Sequence, residues 1–130
     1  MPSTQPRTQE EFEAAAQAVW DGLPEPFRQA LANVTVHVAD FADAETLAAM
    51  RIRDPYDLLG LYHGVGLPLK SISDPASLPD RIFLYRLPIL DYARRSGESV
   101  ARVLRHVLIH EIGHHFGFSD DGMALIESGA

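Results

Sequence analysis

The stretch HEIGHHFGFSD, His110 to Asp120, ends the longest helical pattern in the chain. From Ser99 to Phe116 the apolar residues Val100, Val103, Leu104, Val107, Leu108 and Ile112 recur at helical spacing, and Gly117 is a natural left-handed stop. On such a helix, residues four apart differ by about 40° in azimuth and about 6 Å in rise, so the imidazoles of His110 and His114 can converge on one ion. Two metal ligands are thereby preset. Glu111, next to the first histidine, can hold a metal-bound water without itself becoming a ligand, which suits a general base.

Catalytic zinc usually takes three protein ligands and keeps one position for water. If the helix continued, Asp120 would lie about 240° around and about 9 Å beyond His114, out of reach. A positive φ at Gly117 would turn the chain back and bring the Asp120 carboxylate in from another direction. Asp121 is the alternative third ligand, and the spacing favours Asp120. His115 points about 100° away from His114 and is expected at the surface or behind the ligands. His106 lies one turn before His110, but as a fourth ligand it would close the open position. His37 and His63 are isolated. Two histidines and one aspartate leave Zn2+ with a net single positive charge, able to activate water and polarise a carbonyl, so amide hydrolysis is a reasonable reaction. The same ligand set also serves iron, but a glutamate between the two histidines favours zinc.

HEIGHHFGFSD has the HExxHxxGxxD form of the metzincin signature. With LLGLYHGVGLPL (58–69), LPDRIFLYRLPIL (78–90) and VLIHEIGHHFGFSDD (107–121), the chain resembles the small bacterial zincin-like metallopeptidases, a minimal metzincin-like group. The resemblance runs from Asp54 to Met123 and is weaker before it. It implies an α+β fold, a small mixed β-sheet of three to four strands packed on a backing helix and an active-site helix. It also implies that His110, His114 and Asp120 bind Zn2+, that Glu111 is the general base, and that the substrate is a peptide or protein. Larger metzincins carry a C-terminal subdomain with a Met-turn below the metal. Here ten residues follow Asp120, and Met123 is either a shortened substitute or, by preference, a packing residue.

The remaining elements fit that scheme. Thr8 and Glu11 form a capping-box pattern ahead of Phe12, Ala15, Ala16, Val19 and Leu23, which predicts a helix over 8–22. Residues 24–33 read as a short helix or turn, and VTVHVAD alternates as a strand from Val34. A short helix is expected over 43–50, ended by Asp54-Pro55. A second strand is expected over 58–65, with Gly60 weakening it or marking a bulge, and a third over 81–87. The Pro- and Ser-rich stretch 66–80 reads as a surface loop that could cover a cleft. Tyr62, Tyr85 and Tyr92 are candidates for an oxyanion hydrogen bond, with packing as the preferred alternative. If the second strand is a sheet edge, an extended peptide could pair with it.

Composition bounds the rest. The 130 residues, 46% hydrophobic and 22% charged, predict a single domain over 1–130, with 1–7 flexible. A formal charge of −7 disfavours a phosphate-binding face, so no nucleic acid partner is expected, and a zinc endoribonuclease is the weaker alternative. A catalytically weak metal-binding or partner-binding domain is the other. Cysteine is absent, which leaves histidine and carboxylate as the ligand types and fits a reducing cytoplasm. No run of about 20 apolar residues and no signal segment is seen, so no membrane association is expected.

Overall fold

The computed structural model describes residues 5–64 and 80–116. Helix α1, Gln9–Asp21, starts at the capping box read from the sequence: Thr8 Oγ1 accepts the Glu11 N–H at 3.1 Å, and the Glu11 carboxylate accepts the Thr8 N–H at 3.0 Å. After Pro24 comes the short α2, Glu25–Ala30, then strand β1, Val34–Ala39. Helix α3, Ala44–Ala49, is capped by Asp43, whose carboxylate accepts the Thr46 N–H at 2.7 Å. Strand β2, Gly60–His63, and strand β3, Asp80–Tyr85, complete the sheet. Helices α4, Arg86–Ser96, and α5, Val100–Phe116, follow.

The sheet has the order β1-β3-β2. Central β3 runs parallel to β1, with Val36 opposite Ile82, and antiparallel to β2, with Tyr62 opposite Ile82. One face carries Val34, Val36, Val38, Ile82 and Leu84 against α1 and α5, where Phe12, Leu104, Leu108 and Ile112 are fully or almost fully buried. The other face carries a smaller cluster of Ala42, Leu58 and Tyr85, with Leu47, Ile52, Leu61 and Phe83 packed on it. This is the α+β arrangement expected, a three-stranded mixed sheet with α1 behind and α5 across β2 and β3.

Three local expectations need correction. The third strand stops at Tyr85 rather than Leu87, and the chain passes directly into α4, a helix not anticipated from the sequence. Pro88 is the third residue of α4, where a backbone N–H has no acceptor within the helix to lose. Arg86 fixes the strand-to-helix junction: its Nε donates to Asp40 at 2.8 Å and its terminal nitrogen to the Arg7 carbonyl at 2.6 Å. Helix α3 is ended by Met50 and by Arg51 at φ 58°, before Asp54-Pro55 is reached. Asp54 instead caps a 3-10 turn over Pro55–Asp57, accepting the Tyr56 N–H at 3.0 Å. Most of the expected loop, 65–79, lies outside the described residues, but Asp80 is not loop. It opens β3 and is 2% exposed. Among the described residues no helix is long and apolar enough to cross a membrane.

Leu108 sits at the centre of the α5 contact, with no exposed surface. Leu108→Ala is expected to cost roughly 3 kcal/mol and to lower Tm by about 10 °C; thermal unfolding followed by circular dichroism checks this.

Candidate metal centre

Helix α5 buries Val103, Leu104, Val107, Leu108, Ile109 and Ile112, a wider apolar stripe than the one read from the sequence. His106, His110 and His114 follow one another at four-residue steps and so lie along one face. Their exposure decreases and rises again: His106 is exposed, His110 half-buried and His114 exposed. The rings of His110 and His114 have centroids 4.9 Å apart and meet edge to face at 69°. His106 and His110 are 6.3 Å apart with ring planes at 26°. Helix geometry therefore brings the two expected ligand histidines together, with a third histidine one turn earlier.

Glu111 is buried, 7% exposed, at the contact between α5 and β2. One carboxylate oxygen lies 3.0 Å from His114 Nδ1, and the main-chain N–H of Tyr62 also donates to the carboxylate. Burial pushes the Glu111 pKa up; the charges of His114 and His110 and these two hydrogen bonds oppose that rise without cancelling it. Toward an ionised Glu111, which can only accept, Nδ1 of His114 is the donor, and in the neutral ring Nε2 then keeps its lone pair. That is the tautomer a metal ligand needs, held by a neighbouring carboxylate.

The direction of the Tyr62 bond follows from the sheet. Tyr85 N–H donates to the Leu59 carbonyl at 2.9 Å. By antiparallel alternation Leu61 and His63 also turn their main-chain groups toward β3, while Gly60 and Tyr62 turn theirs outward. Strand β2 is the sheet edge among the described residues, and its outward N–H at Tyr62 reaches the helix carboxylate. Sequence reading missed this contribution because a main-chain donor has no residue signature. The Tyr62 hydroxyl is committed elsewhere, donating to buried Asp80.

The other tyrosine candidates are placed less favourably. Tyr85 is buried on the opposite sheet face, its hydroxyl pushed up to about 12 by burial and by the charges of Asp43 and Glu111. Tyr92 is 41% exposed on α4 and lines a groove with Leu59, Arg102, Val103, His106 and Val107. Of the other isolated histidines, His37 stacks on Phe83 and is hydrogen-bonded to Thr35 at 2.9 Å, and His63 is exposed at the end of β2. Asp120, Gly117, Asp121, Met123 and the side chain of His115 lie outside the described residues. Among the described residues no group of three or more His, Asp or Glu side chains is arranged to hold a metal ion. The fit to a metal is therefore that of two imidazoles and an adjoining carboxylate, donor types suited to zinc.

The model of the zincin-like metallopeptidases matches residues 31–130. The chain belongs to this family. The match takes in β1, the whole edge-strand and α5 contact, and the sequence through the HEIGHHFGFSD stretch. None of the curated proteins compared with it matches significantly.

The buried carboxylate makes a stability statement. Because the fold disfavours its charge, Glu111→Gln is expected to raise Tm of the metal-free chain at neutral pH by a few degrees, despite the lost charge-assisted bond to His114. A differential scanning measurement in chelator checks it; a marked fall would mean that the ionised carboxylate is a net structural asset.

Proposed function

We propose that this chain is a zinc-dependent metallopeptidase of minimal metzincin-like type, with His110, His114 and Asp120 as ligands and Glu111 as general base. One observation supports it above the others. Two histidines are paired on one face of α5 beside a carboxylate that is buried yet hydrogen-bonded, and this happens in a chain of a metallopeptidase family. When bound, zinc would supply a Lewis acid that polarises the scissile carbonyl and eases deprotonation of water.

The chain's own residues would do the rest. His114, its Nδ1 proton held by Glu111, offers Nε2 to the ion. Glu111 takes a proton from the attacking water and passes it to the departing amine nitrogen, so the carboxylate ends the cycle as it began. A raised pKa suits this role, because a more basic carboxylate accepts the proton more readily. The peptide would lie extended along the outer side of β2, the sheet edge among the described residues. Peptide or protein substrate, the absence of nucleic acid and membrane partners, and a cytoplasmic setting complete the reading, supported by the charge of −7 and the lack of cysteine.

Glu111→Gln tests the mechanism. The variant is expected to keep its zinc and to lose hydrolysis of a peptide library by at least about 100-fold. Loss of zinc with the same change would instead make Glu111 a ligand or an indispensable support for one. Undiminished hydrolysis would remove it as the base.

A further inference from the structure

Gly60 lies where β2 crosses α5 most closely. A Cβ built on it would stand 2.5 Å from Val107 Cγ1, 3.1 Å from the Phe83 carbonyl oxygen and 3.5 Å from Glu111 Cγ. The first distance is one that real Cβ atoms do not reach, so any other residue here must push strand and helix apart or displace Val107. Nothing about the Gly60 backbone requires glycine, since its φ is not positive. The requirement is one of space alone.

That space sits two residues from the Tyr62 N–H and against the side chain of Glu111. On β2, Gly60 and Tyr62 share a face and an outward main-chain direction. On α5, Val107 and Glu111 are four residues apart and so also share a face. The two pairs run side by side: Gly60 against Val107, and the Tyr62 N–H on the Glu111 carboxylate. A displacement of the strand at the first contact therefore lengthens the hydrogen bond at the second.

We propose that Gly60 is a positioning residue for Glu111: by omitting a side chain it lets the edge strand lie directly on Val107 and the Glu111 side chain, so that the strand, with its Tyr62 N–H, holds the carboxylate in place. This rests on the reading of Glu111 as general base, and deepens it by naming what orients that base from outside its own helix. It also explains a glycine in a strand that is otherwise made of Leu61, Tyr62 and His63. Gly60 itself touches neither the ligand histidines nor the substrate carbonyl, and acts through Tyr62.

The test uses the full chain as wild type, Gly60→Ala, Val107→Ala and the double variant. Val107→Ala removes the atom that the new methyl would strike, leaving only the Phe83 oxygen, which must yield by a few tenths of an ångström. Two readouts are taken: amide hydrogen exchange at Tyr62, and kcat and KM on a peptide substrate, with zinc content alongside. Gly60→Ala is expected to lose Tyr62 amide protection and to lower kcat by about 100-fold with KM and zinc content little changed. The double variant should recover both to within about threefold of Val107→Ala. Retained protection at Tyr62 in Gly60→Ala, or no recovery in the double variant, overturns the proposal. If Gly60→Ala does not fold, the double variant against Val107→Ala decides it: equal Tyr62 protection supports the proposal and reduced protection overturns it. A wild-type chain that binds no zinc and cleaves no peptide would end the peptidase reading, while the exchange data would still judge the placement of Glu111.

Discussion

The arrangement depends on bringing an ionisable carboxylate, Glu111, out of water at the contact between α5 and β2. Such burial is unfavourable unless the charge finds partners. Here the partners come from two directions: His114 one turn along the same helix, and the Tyr62 N–H from the sheet edge. The helix fixes its azimuth, and the strand supplies the donor from outside the helix.

This constraint explains features that otherwise look unrelated. The apolar stripe of α5 is wide because the helix lies on β2 and β3 while also facing α1 and α4. The larger hydrophobic cluster therefore sits under the site, with Leu104, Leu108 and Ile112 forming the floor from which the histidines project on the other side. Central β3 transmits the same rigidity: it pairs with β1 and with β2, so the edge strand is anchored to the middle of the domain. Asp80 and the Tyr62 hydroxyl join the two strands near one end through a hydrogen bond on the helix-facing side. A carboxylate held between elements fixed in this manner is pre-oriented, and for the base proposed above that is the condition under which positioning contributes most to rate.

Much of this was legible in the sequence, for physical reasons that differ by element. The capping box at Thr8 and Glu11, the alternation of Val34, Val36 and Val38, and the helical repeat through Ile112 are local patterns tied to local hydrogen bonding or to one-sided burial, and each formed where it was read. Helix α4 was missed because Pro88 and the abrupt strand-to-helix turn carry conflicting local signals. The decision there is made by Arg86, which reaches Asp40 and Arg7, residues distant in sequence. On α5, the proximity of His110, Glu111 and His114 was legible because helix periodicity alone brings them together. The close approach of Gly60 to α5 and of the Tyr62 N–H to Glu111 was not, because a missing side chain and a main-chain donor become meaningful only when a second element is laid against them.

The central claim is that the two histidines of α5 and Asp120 make one zinc centre. The most direct measurement is elemental analysis of the chain purified without added metal or affinity tag, on wild type and on Asp120→Ala. About one zinc per wild-type chain, falling sharply in the variant, is the result the account requires. No zinc in the wild type even after the metal is supplied, or an unchanged content in Asp120→Ala, would contradict it.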